Sequence, residues 1–114
     1  MYDEAIRELR KAVDLSAGDT RSLTALAHTY ALSGQRAKAY HAIKDLSRHE
    51  YVPPYDIGMI YAGLNDKDPA FEWLEKAREE RAPWLVLLET EPRFDNLRSD
   101  PRFRDLVRRV RAGL

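Results

Sequence analysis

Histidine and carboxylate side chains are where catalysis or metal binding would reside in this chain. Its three histidines, His28, His41 and His49, include no i,i+4 pair, and cysteine is absent. That lacks the ligand spacing of a zinc site, so no metal and no other cofactor is expected. Carboxylates gather at Glu72, Glu75, Glu79 and Glu80. On a charged helix such a run reads as a solvated face, with Glu72 and Lys76 at ion-pair spacing. Acid–base catalysis needs a carboxylate isolated in an apolar pocket, and the pattern isolates none. No glycine-rich loop leads into a helix in phosphate-binding form. Ser16, Ser22, Ser33, Ser47 and Ser99 all lack a G-x-S-x-G setting. The chain is not expected to be an enzyme.

Recognition is the remaining chemistry. The tripeptide Pro-Arg-Phe occurs twice within PRFDNLRSDPRF, at 92–94 and 101–103. Each copy comes after a carboxylate, Glu91 or Asp100, so each reads as a helix start: a polar cap, then proline at the first helical position. From Arg98 onward there are arginines at 98, 102, 104, 108, 109 and 111 against Asp100 and Asp105. This run reads as a solvated helix face with cations near a helix C-terminus, the alternative being a basic tail that steers an acidic partner. Over the whole chain 19 basic and 19 acidic side chains cancel, which argues against nucleic acid as a partner. No apolar run approaches the ~18 residues of a membrane span, and no signal peptide opens the chain. A cytoplasmic location fits this composition.

At 114 residues, 44% apolar and 33% charged, the chain has the length of one domain. Its pattern is all-α. Tyr2, Ala5, Ile6, Leu9, Ala12 and Val13 form one helical stripe, broken at Ala17-Gly18-Asp19. Leu23, Leu26, Ala27 and Tyr30 mark a second helix, capped by Asp19 or Thr20 and ended at Ser33-Gly34. Ala39, Ile43 and Leu46 mark a third. The segment His49–Pro54 interrupts, its prolines suited only to a first turn. Ile57, Ile60, Tyr61 and Leu64 come next, with Gly58 costing helix propensity unless a neighbour comes close. Asn65-Asp66 turns the chain into a helix carrying Ala70, Phe71, Leu74 and Ala77. Trp84–Leu88 is expected to be a short buried helix, and Phe94, Leu97, Phe103, Leu106, Val107 and Val110 to cover Trp84, Leu87 and the Phe71/Leu74 helix.

These helices repeat. Ala5, Leu9 and Ala12 recur as Ala39, Ile43 and Leu46 after 34 residues, and as Ala70, Leu74 and Ala77 after a further 31. With Leu23, Ala27 and Tyr30, then Pro54, Gly58 and Tyr61, on the preceding helices, residues 2–82 resemble the tetratricopeptide repeat family. Leu23 and Pro54 stand where that pattern has Trp, Ala27 where it has Gly, and Ala17 and Ala82 where it has Pro. The resemblance implies antiparallel helix-turn-helix units stacked as a short right-handed solenoid with a C-terminal capping helix. A single domain, 1–114, is expected: the second helix of a truncated repeat (2–17), repeats at 20–50 and 53–82, and a cap at 83–114.

In that family the first helices of successive repeats line a concave surface for a peptide or partner protein. Carried over here, this groove presents Arg21, Thr24 and His28, then Val52, Tyr55 and Met59, without the Lys/Asn/Arg carboxylate clamp of chaperone-tail receptors. The implied function is a protein–protein interaction module. The block from Tyr51 to Val107 also resembles the last repeats of long bacterial regulatory proteins, implying the C-terminal region of a larger protein. The alternative is a self-association element, a homodimer formed through Tyr2, Ile6, Leu9 and Val13 on the first helix.

Overall fold

The computed structural model describes residues 2–49 and 51–113; Glu50, within the expected interruption, lies outside them. The described residues form α-helices and 3₁₀ helices, with no strand among them. The chain divides into two compact units, Met1–Val52 and Pro53–Leu114.

The first unit holds α1 (Tyr2–Leu15), α2 (Thr20–Leu32) and α3 (Arg36–Leu46). Asp19 caps α2, its Oδ1 accepting the Ser22 amide at 2.9 Å. Gly34, at φ +82°, ends the α2–α3 turn, and the Gln35 amide reaches back to the Tyr30 carbonyl at 2.9 Å. That left-handed residue closes a Schellman cap and reverses the chain. Leu26, Ala27 and Tyr30 of α2 are buried, as are Ala39, Ala42 and Leu46 of α3. α1 contributes Ile6 alone to the fully buried set. Ala5 is exposed, whereas its counterparts Ala39 and Ala70 are wholly buried.

The second unit holds α4 (Pro54–Gly63), α5 (Lys67–Glu79), two 3₁₀ helices (Pro83–Leu87 and Pro92–Leu97) and α6 (Pro101–Ala112). The α4–α5 hairpin repeats the α2–α3 hairpin position by position. Ala27 becomes Gly58, Tyr30 becomes Tyr61, Ala39 becomes Ala70, and the left-handed Gly34 becomes Asn65 at φ +60°. Gly58 is where α4 and α5 come closest: a Cβ there would lie 3.2 Å from Leu74 Cγ and 3.3 Å from the Ala70 carbonyl oxygen. The propensity lost at Gly58 is therefore offset by closer packing.

The 3₁₀ geometry sets which side chains share a side. Residues i and i+3 eclipse in a 3₁₀ helix. Leu85 and Leu88 accordingly point inward, as do Phe94 and Leu97. Trp84, Val86 and Leu87 turn outward, 59%, 58% and 48% exposed. The expected burial of Trp84 and Leu87 is thus corrected: Trp84/Leu87 and Leu85/Leu88 have the same i,i+3 spacing, and it is the Leu85/Leu88 side that packs into the core of the second unit.

A further register emerges between the α4–α5 hairpin and the C-terminal block. Asn96 Nδ2 donates to the Ala62 carbonyl at 2.7 Å, Arg102 pairs with Asp68 at 2.7 Å, and Arg109 pairs with Glu75; each contact joins residues 34 apart. α6 therefore runs parallel to α5, in step with it, at the offset that separates Ala5 from Ala39. The apolar pattern of residues 83–112 does not show this periodicity.

Gly58→Val should place two methyl groups into the Ala70/Leu74 contact and cost about 1–3 kcal/mol by overpacking. Urea denaturation monitored by far-ultraviolet circular dichroism measures it, and an unchanged midpoint would show that the hairpin can open there.

Candidate interaction site

In the first unit, Arg21, Thr24 and His28 occupy successive turns of α2. Arg21 is exposed, His28 half-buried and Thr24 buried, its hydroxyl lacking a hydrogen-bond partner among the described residues. Val52, at the end of this unit, is half-buried. On α1, Tyr2 is 38% exposed, Leu9 and Val13 are half-buried, and Ile6 is buried. The other two histidines serve local structure. His41 Nε2 lies 3.6 Å from Asp45 Oδ2. His49 Nε2 is 2.8 Å from the Gly18 carbonyl oxygen. A carbonyl only accepts, so Nε2 carries the proton and ties the end of α3 to the α1–α2 turn.

In the second unit, Tyr55 and Met59 lie one turn apart on α4, 5% and 4% exposed. The chain itself covers them. Phe94, wholly buried, meets the Tyr55 ring edge-on at 5.4 Å between centroids. Asn96 holds the same segment down through the Ala62 carbonyl and, at 3.2 Å, Asn65 Oδ1. Burial, with Glu91 adding repulsion, pushes the Tyr55 hydroxyl up to about 12. A partner reaching Tyr55 and Met59 has to take the place of Phe94. Neither Phe94 nor Asn96 was assigned to this face from sequence; the repeated Pro-Arg-Phe was the available signal.

Both copies of that tripeptide are built alike. Glu91 Oε1 accepts the Arg93 amide at 3.2 Å and Arg93 Nε at 2.6 Å. Asp100 Oδ1 accepts the Arg102 amide at 2.9 Å and Arg102 Nε at 3.1 Å, while Oδ2 takes Nη2 at 2.9 Å. The carboxylate caps the turn and grips the arginine two residues on, proline sets the first φ, and phenylalanine is turned into the core. The Arg102 hydrogen bonds, side-chain first and then backbone, hold the Asp100 carboxyl down at about 2.

Arg102 also lies over the Phe71 ring at 4.6 Å. Glu75 pairs with Arg109 of α6 and with Arg78, 3.1 Å away. Burial pushes the Glu75 carboxyl up, but the two guanidiniums outweigh it and leave it below its ordinary value. Lys76, expected beside Glu72, lies over the Trp73 ring at 4.2 Å.

Paired helices in register define an all-helical repeat protein. Residues 55–79, covering most of α4 and α5, match the family model of the tetratricopeptide repeat. Such repeats are generally non-catalytic scaffolds, so the match supports a protein–protein interaction module. No curated protein and no solved structure matches the chain. No helix among the described residues is long and apolar enough to cross a membrane.

Phe94→Ala should cost about 3–5 kcal/mol, since a fully buried ring is removed. Trp84→Ala should stay within about 0.5 kcal/mol. Thermal melts compare the two, and ultraviolet titration should show Tyr55 falling back toward 10 in Phe94→Ala, from about 12. Equal effects of the two substitutions would contradict the 3₁₀ assignment of inside and outside.

Acid should weaken the fold. The carboxyls of Asp100 and Glu75 are held below 3.8 and 4.5 respectively, so the unfolded chain takes up protons first. Their contribution is complete above those ordinary values and is lost as pH falls through the lowered ones, for Asp100 toward about 2. Glu75→Gln and Asp100→Asn should each flatten the acid limb of a stability–pH curve; an unaltered limb would show that other groups control it.

Proposed function

We propose that the chain is a protein–protein interaction module that binds a peptide or partner protein through Arg21, Thr24 and His28, with Val52, in the first unit, and through Tyr55 and Met59 in the second unit, where the partner takes the place of Phe94. The observation that carries this reading is the duplicated hairpin: two helix pairs in one register, the second matching a tetratricopeptide repeat. In that repeat class the first helix of each pair supplies the recognition face. Arg21 offers an exposed cation there, and His28 a half-buried polar side chain. The module is read as a regulatory part of a larger, cytoplasmic bacterial protein, at its C-terminal end.

Site-directed photo-crosslinking tests it. A photoreactive residue at position 21 should capture a partner, while one at Lys44 or Asp14 should not. Crosslinks spread evenly over all three positions would remove the support for this face.

The alternative, self-association through α1, draws on a separate observation: Tyr2 and Ala5 are exposed although the counterparts of Ala5 are buried. Sedimentation velocity should then show a concentration-dependent dimer, abolished by Tyr2→Glu or Ala5→Glu. A single monomeric species across the concentration range would end that reading. Ile6 is unsuited to this test because it is already buried within its own unit.

A further inference from the structure

The arginines beyond Leu97 fall into two groups. Arg102 and Arg109 face α5, where they pair with Asp68 and Glu75. Arg98, Arg104, Arg108 and Arg111 instead line one cleft of about 420 Å³ beside α6. The apolar side chains in its lining are Phe103 and Val107, and its one carboxylate, Glu89, is engaged by Arg111. Arg98 and Arg108 each hold one aspartate, Asp95 and Asp105. Arg104 is exposed, with no ion pair or hydrogen bond among the described residues. From Phe103 to Arg111 the helix face extends roughly 12 Å, enough for about two turns of a partner helix. Val107 and Arg111 also line an adjoining notch of about 190 Å³, where Val86 and Val110 continue the apolar surface.

We infer that this cleft docks an acidic segment of a partner protein, one that carries an apolar anchor residue among its carboxylates. The carboxylates meet Arg98, Arg104 and Arg108; the anchor sits on Val107 and extends toward Val86. Charge selects the acid: Arg104 has no ion pair among the described residues, and Arg98, Arg108 and Arg111, each paired with a single exposed or half-exposed carboxylate (Asp95, Asp105 and Glu89), can exchange it for one of the partner's. Guanidiniums are weakly hydrated and match carboxylates in a two-pronged geometry, so desolvating them costs less than desolvating lysines. The apolar lining selects protein over nucleic acid. Phe103, the aromatic ring in the lining, is 6% exposed and has Arg98 over it at 5.3 Å, so the cleft itself offers no ring face on which a base could stack. This surface lies on α6 and is independent of the α2 residues in the functional reading above.

Fluorescence anisotropy on the full chain tests it with a labelled, glutamate-rich helical peptide bearing Leu and Phe at i and i+4. The expected result is saturable binding that weakens as salt is raised and falls at least about tenfold in Arg104→Glu/Arg108→Glu. Val107→Asp should reduce it comparably, the lysine counterpart of the peptide should not bind, and Arg21→Glu should change nothing. Circular dichroism identifies any variant that fails to fold. Absent binding of the glutamate peptide would overturn the assignment. So would binding that survives the double charge reversal in a folded chain, sensitivity to Arg21→Glu, or preference for a single-stranded oligonucleotide.

Discussion

A helix without a polar face must be covered on every side, and α4 is that helix. Seven of its residues, from Pro54 to Ala62, are buried, so water is excluded almost all the way round. One side is met by α5, which approaches closely because Gly58 presents no side chain to Ala70 and Leu74. The Tyr55/Met59/Ala62 side needs a second cover, and Pro92–Leu97 supplies it through Phe94, Leu97 and Asn96. The remaining elements of the second unit fix that cover in place. Pro83–Leu87 carries the chain across from α5, and α6 packs back on α5 to secure the far end of the Pro92–Leu97 segment.

The lock is made from a short, self-contained unit used twice. An acid, a proline, an arginine and a phenylalanine fold on themselves, the acid capping the turn and neutralising the arginine. Phenylalanine and the leucine three residues on are thereby presented together, Phe94 with Leu97 and Phe103 with Leu106. The first pair closes over α4 and the second belongs to α6 as it packs on α5. What could be taken for two binding hooks is thus two anchors, each wholly or almost wholly inside the unit.

That arrangement shifts attention to the surfaces left open. Tyr55 and Met59 are engaged by the chain itself, while Arg21 on α2 stands free of cover. At the other end of the sequence, half-exposed Trp84, Val86 and Leu87 adjoin a helix whose arginines divide between holding α5 and lining a cleft. The distinction is one of partners: Arg102 and Arg109 pair across to α5, whereas Arg98, Arg108 and Arg111 pair elsewhere and Arg104 has no ion pair among the described residues.

Much of this was legible in the residues. The helices, their glycine and asparagine turns, the aspartate caps and the 34- and 31-residue repeats all arise from local rules: apolar period, φ preference and side-chain capping act over a few positions. The solvated-face reading of the arginines held for their exposure but not for their division into two groups. Trp84 and Leu87 lie outside because two sides of this segment are apolar at the same spacing, and only the packing of the unit selects Leu85 and Leu88. By itself the sequence determined the hairpins and where each begins and ends. Only the tertiary structure decided that Phe94 covers Tyr55, that α6 runs in step with α5, and which arginines are left facing a cleft. Those contacts join residues more than thirty apart, and no local preference encodes which distant partner a buried face will find.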